Sequence, residues 1–173
     1  GGVGMNSLQA AAYRGASCVI AIDVLDQKLE QALRFGATHT VNSSLPTFVD
    51  DVLGLSGGRG ADYVFVTVGA KSAIKQSLEI LGRVGTTVIV GMPASEVSAE
   101  YDPGDLASKG QSIVGSKMGS SSVSRDIPKL VALYQQGDLK LDELVSQRFS
   151  LENINEAIAS VKRGEALRNL VVF

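Results

Sequence analysis

The chain has 173 residues, enough for one domain with a sizeable core, and its formal net charge is −2. Hydrophobic residues make up 45% and charged residues 20%, so nothing in the charge balance favours nucleic acid or an anionic membrane surface as a partner. No apolar run reaches the roughly 18 residues of a transmembrane helix and no charged-then-apolar leader opens the chain, so we expect a cytoplasmic protein. The one cysteine, Cys18, excludes an intrachain disulfide and a cysteine-rich zinc site.

Apolar runs of strand length alternate with helical patterns over the first 90 residues. Taken in chain order, these patterns predict a helix at 5–14, a buried strand at 18–22, a helix at 26–35, a short strand near 40–41, a helix at 48–55, a strand at 63–66, a helix at 73–81 and a strand at 86–90. Repeated strand–helix units of this kind predict right-handed crossovers and a doubly wound parallel sheet, an α/β fold.

The pattern is less regular after Pro93. Residues 94–110 are polar and predict a loop with about one turn of helix. The remaining predicted elements are a short strand at 112–115, a helix near 127–136, a helix within 149–163 and a closing strand at 170–173.

The first four residues form a glycine-rich turn, Gly1-Gly2-Val3-Gly4, that leads directly into the first predicted helix. Eighteen residues then separate Gly4 from Asp23, which ends the next apolar strand. In dinucleotide-binding folds such glycines let the backbone approach a pyrophosphate at a helix N-terminus, and an acid at this spacing binds the adenosine ribose. The alternative is that the glycines only make a tight turn and that Asp23 only caps the following loop.

Asp23 also bears on the choice of cofactor. A carboxylate repels the 2′-phosphate of NADP, and no arginine follows Asp23 directly. The sequence therefore favours NAD over NADP.

A succession of short motifs covers nearly the whole chain and resembles the medium-chain, zinc-dependent alcohol dehydrogenase family. The matching segments are Gly-Gly-Val-Gly at 1–4, Val-Ile-Ala-Ile-Asp at 19–23, Lys-Leu-Glu at 28–30, Phe-Gly-Ala-Thr at 35–38, Gly-Ala-Asp-Tyr at 60–63, Gly-Arg-Val-Gly at 82–85, Val-Ile-Val-Gly-Met-Pro at 88–93 and Gly-Glu-Ala-Leu-Arg at 164–168. The resemblance implies a Rossmann-type NAD-binding domain at 1–115, truncated at its N-terminus. It also implies that residues 116–173 belong partly to a catalytic domain.

The resemblance also implies roles for individual residues. The pyrophosphate would be lined by Gly1, Gly2, Val3 and Gly4. The Arg168 guanidinium would donate charge-assisted hydrogen bonds to two of its anionic oxygens. Asp23 and Lys28 would hold the adenosine ribose. Thr67, Val68 and Gly69 would lie along the adenine and inner ribose, and Val90, Gly91 and Met92 would offer backbone groups to the nicotinamide carboxamide. Without the family context, Lys28 and Arg168 also fit solvated surface positions, and the two valines fit ordinary strand ends.

The family's chemistry uses zinc to polarise the alcohol oxygen, and the ligands come from the portion preceding the glycine turn. We expect no catalytic or metal-binding residue in this chain. Cys18 falls in a buried strand pattern and fits a small apolar core residue, while His39 fits a loop position. The paired carboxylates near residues 50, 102 and 142 fit solvated surface.

In a doubly wound sheet the strand before the glycine turn lies at the centre, between the strands at 18–22 and 63–66. We expect its absence from this chain to leave two strand edges unpaired, and three outcomes stay open: a separate fragment supplies the strand, the sheet closes, or a partner chain fills the position. We also expect exposed apolar surface or a compensating dimer, and a homo-oligomeric parent.

The parent is thus predicted to interconvert small alcohols and aldehydes with NAD(H). Two alternatives remain: a zinc-free relative such as a quinone oxidoreductase or enoyl reductase, and a non-catalytic NAD-sensing or structural protein of the same fold. Asp23 speaks against the first, because those relatives usually take NADP(H).

Overall fold

The computed structural model describes all 173 residues, in which seven helices and seven strands alternate with few exceptions. The helices are α1 (Gly2–Tyr13), α2 (Asp26–Leu33), α3 (Phe48–Leu55), α4 (Lys71–Glu79), α5 (Pro103–Lys109), α6 (Val123–Gln136) and α7 (Ile154–Lys162). The strands are β1 (Ile20–Asp23), β2 (His39–Asn42), β3 (Ala61–Val66), β4 (Leu81–Ile89), β5 (Ser112–Gly115), β6 (Val145–Ser150) and β7 (Arg168–Val172). None of the helices is both long enough and apolar enough to cross a membrane.

All strand pairs are parallel, and they form three separate sheets. β1 pairs with β2, β3–β4–β5 form a second sheet, and β6 pairs with β7. The first two sheets reproduce the doubly wound order on either side of its central strand, because β1 and β3 are the strands that flank that position. Each of these two strands pairs on one side only. The predicted α/β class and the two unpaired edges are confirmed.

Two apolar clusters hold the elements together. The first joins α1, β1 and α2 through Met5, Ala21, Leu29, Ala32, Phe35 and Ala37, and it also includes Leu144 from the C-terminal part of the chain. The second packs α3 against β2 and the end of α4 through Val41, Phe48, Val52 and Ile80. The side chains of both clusters recur at helical or alternating-strand spacing, which is why the periodicity of the sequence located these elements.

The expected exposed apolar surface is present. No residue of α6 is buried, although its sequence places apolar residues along one stripe. Ile127, Leu130 and Val131 in that stripe are each about half exposed, at 52%, 50% and 46%. Tyr63 and Phe65 stack on each other on an exposed face of β3.

Several expectations from the sequence need correction. α1 starts at Gly2 rather than residue 5, because a helix can begin with glycines whose first N–H groups need no intrahelical partner. Cys18 is exposed and precedes β1, so it is not a core residue, and its Sγ lies 3.7 Å from His39 Nδ1. His39 is the first residue of β2 and not a loop residue.

Two further elements differ from the prediction, α5 because of a local cap and β6 because of tertiary pairing. α5 extends over seven residues, starting from an Asp102 side chain that accepts hydrogen bonds from the Gly104 and Asp105 amides. β6 carries no clear apolar alternation and was not predicted. It is fixed as a strand by its parallel register with β7, from Val145 opposite Arg168 to Ser150 opposite Val172.

Val84 is the most strained position in the sheet. Its φ is 59°, in the left-handed region that β-branched residues avoid, and its side chain is 78% exposed. It lies in the irregular first half of β4, where the register with β3 shifts. The strain is therefore not offset by packing of the side chain.

We predict that Val84→Gly raises the free energy of unfolding by about 1 kcal/mol, because relief of left-handed strain exceeds the entropy that glycine adds to the unfolded chain. Val84→Ala keeps a Cβ and is expected to change stability little. Urea unfolding of the two variants measures the difference. Equal stability of the alanine and glycine variants would show that the backbone at this position is not strained.

Candidate cofactor site

The N-terminus of α1 is an uncapped cluster of backbone donors. The helix is preceded by Gly1, which makes no side-chain cap, and its first turn holds no acidic residue. The first amides of a helix have no intrahelical acceptor and carry the positive end of the helix dipole. Here those amides belong to Gly2, Val3 and Gly4, so the helix begins as a site suited to an anion.

The glycines are needed because other parts of the chain approach them closely. A Cβ on Gly2 would lie 3.2 Å from the Leu167 carbonyl oxygen and 3.4 Å from the Arg168 guanidinium. A Cβ on Gly4 would lie 3.2 Å from Thr67 Oγ1. The carboxyl end of β3 and the start of β7 therefore both reach this helix terminus.

Asp23 ends β1 with one carboxylate oxygen engaged and the other available. Oδ1 accepts hydrogen bonds from the Val24 amide at 2.9 Å and the Leu25 amide at 3.1 Å. Oδ2 accepts none from the chain. Asp23 therefore does cap the following loop, but only through Oδ1. These two hydrogen bonds fix the carboxylate and leave Oδ2 free to accept from an external donor.

Two cations lie near this turn without acidic partners. Neither Lys28 nor Arg168 takes part in any of the chain's ion pairs or side-chain hydrogen bonds. Lys28 and Asp23 both lie within electrostatic reach of Gly1, at the start of the glycine turn. Two cations without acidic partners near this turn favour a bound anion.

The ends of β3 and β4 meet through two glycines. A Cβ on Gly91 would come within 2.5 Å of the Val68 backbone, and one on Gly69 would come within 2.5 Å of the Met92 carbonyl oxygen. The Val90 and Gly91 amides both donate to the Val66 carbonyl oxygen, at 2.9 and 2.8 Å. The segments 67–69 and 90–92 are thus locked against each other at the carboxyl edge of the sheet.

The structure places the expected site residues around the start of α1 and at the carboxyl ends of β1, β3 and β4, with Lys28 in the first turn of α2 and Arg168 at the start of β7. It also adds residues that were not expected. An open cleft of about 440 Å³ beside Met92 is lined on its other side by Gly115 at the end of β5 and by Ser116 and Lys117 in the loop that follows. The predicted strand at 112–115 could have indicated these residues, because the carboxyl end of a third parallel strand lies at the same edge of the sheet as those of β3 and β4.

No group of three or more histidine, cysteine, aspartate or glutamate side chains in the chain could hold a metal ion. Cys18 and His39 are close together, but they lie at the amino ends of β1 and β2, opposite the edge that carries Asp23. These two residues are therefore not part of the candidate site around the start of α1.

We predict that Gly91→Ala lowers the free energy of unfolding by about 3 kcal/mol, because the added Cβ meets the rigid backbone of Val68. Gly54→Ala is the matched control. Gly54 lies inside α3 with open space around it, so alanine there is expected to raise stability by about 0.5–1 kcal/mol. Chemical denaturation of both variants tests this contrast, and a tolerated Gly91→Ala would contradict the close approach.

Comparison with known proteins agrees with this geometry. Residues 2–136 match the family model described as zinc-binding dehydrogenase. The chain is 35% identical over 175 residues to an NDMA-dependent alcohol dehydrogenase of Amycolatopsis methanolica, covering 99% of this chain and 47% of that protein. It thus spans about half the length of the curated relatives that it matches.

Solved structures show the same relation. Benzyl alcohol dehydrogenase of Acinetobacter calcoaceticus superposes with a TM-score of 0.93 at 34% identity, covering 98% of this chain and 46% of that one. A protein of Sinorhizobium meliloti 1021 assigned as a zinc-binding dehydrogenase, determined with NADP bound, has a TM-score of 0.89 at 26% identity, covering 100% of this chain and 50% of that one. Family model, relatives and fold agree: the chain belongs to the medium-chain zinc-dependent alcohol dehydrogenase family and corresponds to its C-terminal, cofactor-binding portion.

Proposed function

We propose that this chain is the NAD(H)-binding part of an NAD-dependent, zinc-containing alcohol dehydrogenase, which oxidises small alcohols or reduces aldehydes. One observation carries the proposal. An uncapped helix N-terminus, a carboxylate with a free oxygen and two unpaired cations lie together around the start of α1. A dinucleotide offers the matching groups, namely an anionic pyrophosphate and ribose hydroxyls.

Each part of the edge would hold one part of the cofactor. The amides of Gly2, Val3 and Gly4 bind the pyrophosphate together with Arg168, whose fork suits two anionic oxygens. Asp23 Oδ2 accepts a hydrogen bond from an adenosine ribose hydroxyl and Lys28 donates to the same ribose. When bound, the nicotinamide exchanges a hydride with the alcohol carbon.

The two strand-end segments orient the rest of the cofactor. Thr67, Val68 and Gly69 lie along the adenine and inner ribose, and backbone groups of Val90, Gly91 and Met92 hold the nicotinamide carboxamide. Gly69 lies close to the Met92 backbone and Gly91 lies close to the Val68 backbone, and this tight packing of the two segments supports a fixed position of the reactive ring.

The choice of NAD over NADP rests on Asp23. Its carboxylate is fixed by two amides, so it cannot turn away from a 2′-phosphate, and Val24 follows it where an NADP site would favour arginine. NADP is the second candidate, because the Sinorhizobium meliloti relative was determined with NADP bound and Lys28 is an unpaired cation nearby.

Zinc and the substrate belong to the wider protein in this proposal. The metal ligands lie in the part of the relatives' length that this chain does not span. We propose that residues 1–115 form the NAD-binding domain and that 116–173 pack partly against the catalytic domain, in keeping with the exposed apolar stripe of α6. We also propose a homo-oligomeric, cytoplasmic parent.

Asp23→Asn is expected to weaken NADH binding by about tenfold and to leave NADPH binding equal or tighter, because the variant loses a charged acceptor and a repulsive charge together. Asp138→Asn removes an exposed carboxylate without a side-chain partner elsewhere on the chain and serves as the charge-matched control. Calorimetric titration of the unaltered protein, Asp23→Asn and Asp138→Asn, each made in the whole protein of which residues 1–173 form part, with NADH and with NADPH gives the six dissociation constants. Tighter binding of NADPH than of NADH by the unaltered protein would contradict the role given to Asp23.

Residues 1–173 expressed alone are expected to bind NAD(H) weakly or not at all, because β1 and β3 beside the glycine turn each pair on one side only. We also expect no turnover of ethanol or a longer alcohol, because these residues hold no metal-ligand set. Absorbance of NADH at saturating alcohol and NAD is the measurement, with zinc added in a parallel reaction. Turnover by these residues alone would contradict the assignment of the catalytic groups to another part of the protein.

A further inference from the structure

One face of α1 contacts the C-terminal part of the chain along its length. Gly2, Met5 and Gln9 are the buried residues of this helix, and their spacing of three and seven positions puts them on one side. Gly2 approaches Leu167 and Arg168, and Met5 shares an apolar cluster with Leu144. The helix that presents the phosphate-binding amides is therefore also the surface against which the C-terminal segment rests.

Gln9 makes the most specific of these contacts. It is 6% exposed, and its amide pairs with the backbone of one residue far along the chain. Nε2 donates to the Lys140 carbonyl oxygen at 3.0 Å, and Oε1 accepts from the Lys140 amide at 2.7 Å. A primary amide is the side-chain group that can both donate to and accept from one backbone residue in this way.

A short path leads from Lys140 to Arg168. The turn after Lys140 carries Leu144 into the first apolar cluster, at 2% exposed. The next residue, Val145, starts β6 and lies opposite Arg168 in the parallel register with β7. The Leu167 amide also donates to Ser146 Oγ at 2.9 Å. The position of the start of β7 therefore depends on the position of the start of β6.

We propose that Gln9 is a positioning residue for the cofactor. It fixes the segment that begins at Lys140 against α1 and thereby holds the Arg168 guanidinium beside Gly2, where the pyrophosphate binds. This inference rests on the proposed NAD(H) function. Arg168 has no acidic partner to hold it in place, so its location depends on the backbone that carries it.

A purely structural glutamine would behave differently. If Gln9 only satisfied the Lys140 backbone groups, its loss would lower stability and affect cofactor binding to the same extent whether or not Arg168 is present. A positioning role requires that the loss of Gln9 weakens NADH binding when Arg168 is present and has little effect when residue 168 is alanine.

The test is a double-mutant cycle in the whole protein of which residues 1–173 form part, with Gln9→Leu, Arg168→Ala and the double variant. Both the NADH dissociation constant and the melting temperature are measured. We expect Gln9→Leu to weaken NADH binding about tenfold beside Arg168 and less than about twofold beside alanine. The drop in melting temperature should be the same in both backgrounds. Val52→Ala, in the second apolar cluster, is the control that lowers stability and leaves the NADH constant unchanged.

Gln9→Glu provides a second cycle, needed if the leucine variant does not fold, because it keeps the acceptor for the Lys140 amide and loses the donor. An equal NADH effect of the Gln9 change in both backgrounds, or no effect beside Arg168, overturns the positioning role while leaving the proposed function intact. Absence of NADH binding by the unaltered whole protein overturns the proposed function and this inference with it. Full NADH binding by the Arg168→Ala variant overturns the role given to Arg168 and therefore this inference, but it leaves the proposed function standing.

Discussion

The free amides at the start of α1 are the constraint on which the site depends. A helix N-terminus without a capping side chain and without an acid in its first turn leaves several donors for an external acceptor. Everything around it is compatible with that acceptor being an anion. The nearby cations are unpaired, the one nearby carboxylate is held by its own backbone, and glycines leave room for close approach. A single acidic side chain in the first turn would have satisfied the helix and closed the site.

The sequence pattern predicted those elements whose conformation depends on interactions between residues close together in the chain. α3 was located at its observed bounds, Phe48–Leu55, because its apolar spacing and the glycine-rich loop after it are both short-range signals. Gly15 and Gly36, in the turns that follow the first two helices, have positive φ as glycines after a helix often do. The glycine turn and Asp23 could likewise be recognised from spacing alone, because both belong to one strand–helix–strand unit.

Contacts between distant segments were not readable in the same way. Gln9 and Lys140 are 131 positions apart and neither stands out by residue type or periodicity. The approach of Arg168 to Gly2 was expected only through the family resemblance. β6 was missed because its strand identity comes from pairing with β7 and not from its own alternation. Cys18 was misplaced because a continuous apolar run does not show where a strand begins.

The exposed thiol of Cys18 has a practical consequence. It is the chain's one cysteine, and it precedes β1, while Asp23 ends the same strand. At about 3.3 Å of rise per residue, the two are separated by about 16 Å along the sheet. A fluorophore attached there would report on β1 from the end opposite the candidate site. The chain thus carries an attachment point for spectroscopy that lies away from Asp23.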